Sequence, residues 1–229
     1  MTDTTAPFPA TDPVVRWSRP EDERAGTHLL VLIHGYGASE HDLFGLVPGL
    51  PEKFTVAAVR APITMDHGGY TWFPIIGTDE SWPLAVRAAV EDLQAWVAAQ
   101  RPHFASTSLL GFSMGMAMAT SLLRREPEAY RAIVGLSGFA IDPDWSPTGP
   151  GTGPLAGFFD DEAVERARPK VFWGRDQADP VITPDKVEYT HGWMNAHVDL
   201  TKVVYAGIGH SISPQELGHV REFLDAVVR

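Results

Sequence analysis

Ser108-Leu-Leu-Gly-Phe-Ser113-Met-Gly-Met-Ala-Met-Ala119 is the stretch whose reading decides the fold. Ser108–Phe112 is a short apolar run of the kind that forms a strand buried on both faces. Met114–Arg125 carries the spacing of a helix and stops near Pro127. Between them Gly111-Phe-Ser113-Met-Gly115 fits G-x-S-x-G. A chain that turns straight from strand into helix at a serine holds that residue in a strained backbone conformation. Side chains two positions before and two after would collide, which explains the glycines. The turn lifts the Ser113 hydroxyl out of the sheet and leaves it at a helix N-terminus, where backbone N–H groups face outward.

Outward from this junction the same alternation repeats. Further strand-like runs are His28–Ile33, Phe54–Val59, Arg131–Leu136, Lys170–Trp173 and Lys202–Tyr205, with Val14–Trp17 as an edge strand. Trp82, Val86, Ala89, Leu93, Trp96 and Val97 share one face of a helix over residues 83–100. Ser81 caps it. Pro184–Ala196 and Pro214–Val228 are two more helices, each with proline in the first turn. Strands alternating with helices imply an α/β fold with a mostly parallel central sheet. Residues 1–13 read as a loose N-terminal arm and 14–229 as a single domain. A Gly/Pro-rich excursion at 142–157 breaks the rhythm.

A serine hydroxyl needs a base to take its proton. Of the histidines after Ser113, His191, His197 and His219 fall inside predicted helices. His210 lies in Gly-Ile-Gly-His-Ser-Ile-Ser, directly after the Lys202–Tyr205 run, at the sheet end where open α/β folds bind ligands. The acid that orients it belongs after Lys170–Trp173, where Asp176 and Asp179 both qualify. Asp179-Pro-Val-Ile offers a rigid turn with Val181 and Ile182 to pin it, so Asp179 is favoured; Asp176 is expected only to cap the loop or to pair with Arg175. The oxyanion hole needs two backbone donors: Met114 N–H, and Tyr36 N–H in His34-Gly-Tyr-Gly-Ala after the His28–Ile33 run. His34 is expected to hold that loop rather than take part in chemistry.

Composition removes several alternatives. With 18 Lys+Arg against 29 Asp+Glu the net charge is −11, so nucleic acid is not an expected partner. The absence of cysteine excludes disulfides, thiolate metal sites and a cysteine nucleophile. No metal motif and no G-x-G-x-x-G after a strand is present, so neither metal nor cofactor is expected. No run reaches the roughly 20 residues of a membrane span, and the N-terminus lacks the features of a signal peptide. The expectation is a cytoplasmic protein without stable membrane association, a monomer or homodimer acting on a small-molecule ester.

The chain resembles the α/β-hydrolases of the phospholipase/carboxylesterase family, small lidless serine esterases that include acyl-protein thioesterases. LIHGYGAS at 32–39, GGYTWFPI at 69–76, GFSMG at 111–115, ADPVIT at 178–183 and GIGHSIS at 207–213 carry the resemblance. It implies an α/β-hydrolase fold without a separate cap domain and a Ser113-Asp179-His210 triad. It also implies that Trp72 and Phe73 lie beside the substrate pocket. The chain departs from the family's habit at Met114, where glutamine is common, and at Ala38, where an acid is common. The expected function is a serine carboxylesterase on short- to medium-chain esters. Thioester or lysophospholipid hydrolysis by the same triad is an alternative, and a non-catalytic binding module is a more distant one.

Overall fold

The structure, a computed structural model, describes residues 13–66, 68–75, 82–144 and 155–228. Nearly all of the expected arm at 1–13, most of the excursion at 142–157 and the Ser81 cap therefore lie outside the described residues. The strands are β1 (Val15–Trp17), β2 (His28–Ile33), β3 (Phe54–Val59), β4 (Ile63–Thr64), β5 (Tyr70–Thr71), β6 (Ser106–Phe112), β7 (Ile133–Leu136), β8 (Lys170–Asp176) and β9 (Asp199–Tyr205). The helices are α1 (Trp82–Gln100), α2 (Met114–Arg125), α3 (Asp161–Ala167), α4 (Pro184–His197) and α5 (Pro214–Val227). Seven strands form one sheet in the order β1-β3-β2-β6-β7-β8-β9, with only β1 antiparallel to its neighbour; β4 and β5 pair separately. This is the α/β fold with a mostly parallel sheet that the sequence implies.

The sheet is buried on both faces. One face packs on α1, α2, α3 and α4 through residues such as Val86, Met118, Val164 and Met194. The other packs on α5 and a 3₁₀ segment, Leu43–Gly49, through Leu43, Leu50, Val220 and Leu224. Leu29–Ile33 of β2 are all at most 1% exposed, which explains why the run is continuously apolar rather than alternating. Each such side chain contributes roughly 1.5–3 kcal/mol by leaving water.

Strand order also places the site. From β2 the chain winds out to β3, then crosses back over β2 to β6 and proceeds stepwise to β9. The loops after β2 and β6 therefore diverge, opening a crevice at the carboxyl ends of these two strands.

Two buried charged-type residues, Arg124 and Glu216, stand among the helices. Arg124 in the last turn of α2 is fully buried. Its guanidinium donates to both carboxylate oxygens of Asp161 at 2.7 and 2.6 Å and to the Ile141 carbonyl at 2.6 Å. Trp193 Nε1 donates to the same carboxylate at 2.9 Å, so α2, α3 and α4 share one anchor. Burial pushes the Asp161 carboxyl up, but the guanidinium and the indole N–H outweigh it and hold the pKa below the ordinary value.

Glu216 is the other. Ser213 caps α5 by accepting the Glu216 N–H at 3.1 Å, one half of an S-x-x-E capping box. The Glu216 side chain turns inward against Gly174 of β8, where a Cβ would stand 2.1 Å from Oε1. It is 0% exposed, and neither oxygen has a hydrogen-bond partner among the described residues. Burial pushes its pKa up to about 7, opposed only by the nearby Ser213 backbone.

Candidate active site

Ser113 sits at the turn from β6 into α2 with φ 55° and ψ −119°. Only a structure that over-determines the backbone holds a non-glycine residue there. Its N–H donates to the Leu136 carbonyl at 2.9 Å, and its carbonyl accepts from Met116 N–H at 3.0 Å. The glycines of the motif are explained by contact. A Cβ on Gly111 would lie 2.1 Å from the Gly115 carbonyl oxygen, and one on Gly115 would lie 1.8 Å from that of Ile33. Close approach of α2 to β2 thus fixes the direction of the serine.

His210 lies beyond β9, with its Nε2 3.0 Å from Ser113 Oγ and its Nδ1 2.9 Å from Asp179 Oδ2. The three expected side chains are thus brought into one hydrogen-bonded row. The Phe112 ring stands 5.0 Å from the imidazole centroid and supports it from below the elbow. Asp179 uses its other oxygen, Oδ1, to accept the N–H groups of Val181 at 2.8 Å and Ile182 at 3.2 Å. Its own turn therefore holds the carboxylate. Ile182 is buried as expected, but Val181 is 56% exposed and pins nothing.

Of the two sequence readings of Asp176, the loop cap describes its contacts and the pair with Arg175 does not. β8 extends three residues beyond the expected end, and its alternation turns Asp176 inward and Arg175 to the opposite face. Asp176 is 2% exposed. Its Oδ1 accepts the Ala178 N–H at 2.7 Å, and its Oδ2 accepts those of Ile208 at 2.5 Å and Gly209 at 2.9 Å. Those N–H groups, Ala178 and Gly209 foremost, hold its pKa below the usual value. Asp176 thus grips the loop that carries His210. The signal was present as the i, i+2 register of Phe172, Gly174 and Asp176.

The His34–Ala38 loop is held from two sides. His34 is buried; its Nδ1 donates to the Gly35 carbonyl at 2.7 Å and its Nε2 accepts the Ala61 N–H at 3.0 Å. Both ring nitrogens are engaged and burial lowers its pKa, so it is a neutral strut. Gly37 N–H donates to Tyr70 O at 3.0 Å, and Tyr70 N–H to Ala38 O at 2.8 Å. Gly69 lets these strands approach, since a Cβ there would stand 2.0 Å from Gly37 O.

Trp72 and Phe73 have a structural part at this site. They are 2% and 6% exposed, packed in the core, and neither lines the cleft above Ser113. Trp72 Nε1 donates to His34 O at 2.9 Å, and Phe73 O accepts the Thr71 hydroxyl at 2.7 Å, which also lies 3.3 Å from Met114 Sδ. The GGYTWF stretch straps the glycine loop to the elbow.

The cleft above Ser113 has a volume of about 390 Å³. Tyr36 and His210 both line it, and Leu43, Leu46, Phe112 and Ile212 give it apolar walls. The 3₁₀ segment that supplies two of these was not legible as an element in the sequence. Met114 opens α2, so its N–H is one of the first-turn donors without an intrahelical acceptor. Among the described residues no group of three or more His, Asp or Glu is arranged to hold a metal ion. No helix there is long and apolar enough to cross a membrane.

Comparison with known proteins bears on the same chain. Residues 19–152 match the model of the family described as Phospholipase/Carboxylesterase. Pimeloyl-[acyl-carrier protein] methyl ester esterase of Neisseria meningitidis serogroup B is 31% identical over 134 residues, 56% of this chain. The match spans 45% of that relative's length. Among solved structures, esterase PE8 is 26% identical with a TM-score of 0.69, covering 94% of this chain and 98% of that one. A Bacillus cereus carboxylesterase shares the fold at 20% identity and a TM-score of 0.67, over 93% of both chains.

Proposed function

The chain belongs to the phospholipase/carboxylesterase family of α/β-hydrolases, and from that premise we propose that it is a serine carboxylesterase acting on short- to medium-chain esters. The observation that carries the reading is the row Ser113 Oγ–His210 Nε2–Asp179 Oδ2 at 3.0 and 2.9 Å, opening on an apolar cleft.

In this reading neutral His210 takes the Ser113 proton at Nε2 as Oγ adds to the ester carbonyl carbon. Asp179 holds Nδ1–H, fixing the tautomer and stabilising the imidazolium that forms. The carbonyl oxygen becomes an oxyanion facing the N–H groups of Tyr36 and Met114. Collapse breaks the carbon–oxygen bond to the alcohol, which leaves with the proton from Nε2. Water then repeats the sequence on the acyl-enzyme, with its proton passing to His210 and back to Ser113 Oγ as the carboxylic acid departs. Protonation of His210 in acid removes the acceptor, so the rate falls as pH is lowered.

A panel of p-nitrophenyl esters from acetate to palmitate tests the substrate range. The reading expects the highest kcat/KM from acetate to octanoate, without a rate jump where the substrate passes its solubility limit. A jump there, or a maximum at palmitate, would contradict it.

A further inference from the structure

We propose that the 390 Å³ cleft receives the leaving alcohol of the ester, not its acyl chain, and selects apolar, uncharged alcohols. The inference rests on the esterase reading and deepens it. Around the carbonyl carbon attacked by Ser113, three groups take three directions. The oxygen goes to the backbone donors, the leaving group goes to the acid that protonates it, and the acyl chain takes what remains. His210 forms part of the cleft wall, Ser211 and Ile212 continue it, and Gly35 and Tyr36 of the oxyanion loop border it as well. Met114, Trp72 and Phe73 do not border it. A group seated here lies beside His210, whose Nε2 delivers the proton to the departing oxygen.

The walls set the chemistry of that group. Leu43, Leu46, Phe112 and Ile212 offer no hydrogen bonds from their side chains, so burying an apolar alcohol there releases water from both surfaces. The charged side chain on the cleft is Asp42, whose Oδ2 is already taken by the Ser39 N–H at 2.7 Å and the Ser39 hydroxyl at 2.9 Å. It is a fixed carboxylate that repels anions, on a protein of net charge −11. Alcohols bearing phosphate or sulfonate are therefore disfavoured. The volume suits a single ring or a short branched chain.

The test holds the acyl group constant as butyryl and varies the alcohol among ethyl, 2-phenylethyl and 2-sulfoethyl. Wild type is expected to favour the phenylethyl ester over the ethyl ester by about tenfold or more in kcat/KM, and to handle the sulfoethyl ester worst. Leu46→Ala and Ile212→Ala should bring the phenylethyl-to-ethyl ratio toward one. Leu46→Phe, which fills the cleft without opening the core, should invert it. The ratio between butyryl and octanoyl esters of ethanol should stay within about twofold in all three. Hydrolysis with no alcohol preference, or variants that shift the acyl ratio instead, would overturn the cleft assignment while leaving the esterase reading standing. Failure of wild type to hydrolyse any of these esters would overturn both.

Discussion

At the scale of single residues, two carboxylates three positions apart divide one task. Asp179 touches the imidazole, whereas Asp176 touches only the backbone of the loop that carries it. Neutralising Asp179 removes the partner of Nδ1–H, and Asp179→Asn is expected to lower kcat by roughly 10³–10⁴. Asp176→Asn has a different cost. An amide cannot accept on both sides, so either the Ala178 N–H or the pair on Oδ2 loses its acceptor. Its kcat should fall by about 10- to 100-fold, with KM little changed, because His210 is displaced and not disabled. Steady-state kinetics on both variants checks the order; a larger loss in Asp176→Asn would reverse the roles. The sequence offers both acids and favours the one that contacts His210, but it leaves Asp176 between capping the loop and pairing with Arg175. Ending β8 at Trp173 leaves that choice open. Once the strand runs to Asp176, its two-residue period sends the neighbours to opposite faces.

At the scale of elements, α2, α5 and the long strands were legible because each carries a period and a stop signal. Met114–Arg125 agrees residue for residue, and α5 ends one residue earlier than expected. What the sequence did not reveal was short. α3 has seven residues, β4 and β5 have two each, and the Leu43–Gly49 segment is a 3₁₀ turn with an internal proline. Such lengths carry too few repeats for a pattern to rise above composition. The site suffered accordingly: the hydrogen-bonded row of Ser113, His210 and Asp179 was readable from loop positions, while the cleft walls and the strap role of Trp72 were not. The start of α5 makes a prediction of its own. The Glu216 pKa is raised from 4.5 to about 7, so the folded state keeps a proton that the unfolded chain releases. Its favourable contribution is complete below about pH 4.5 and is lost as pH rises through 7, by up to about 3 kcal/mol. Glu216→Gln should abolish that slope, so denaturant titrations at pH 5 and pH 8 should diverge for wild type and agree more closely for the variant. An equal pH dependence in both would show that Glu216 is not the titrating group.

At the scale of the whole molecule, a twisted parallel sheet with its strand order reversing beside β2 brings together groups from distant parts of the chain. Tyr36 follows β2, Ser113 follows β6, Asp179 follows β8 and His210 follows β9. Each lies within a few residues of a regular element. The central claim is that this convergence makes Ser113 a nucleophile. Reaction with a fluorophosphonate, read by intact mass and peptide mapping, tests it most directly alongside p-nitrophenyl butyrate turnover. The account predicts one adduct per wild-type chain, located on Ser113. It predicts none on a folded Ser113→Ala protein, whose turnover falls by roughly 10⁴–10⁶. A folded Ser113→Ala protein that still takes the label, or still hydrolyses the ester at a comparable rate, would contradict it.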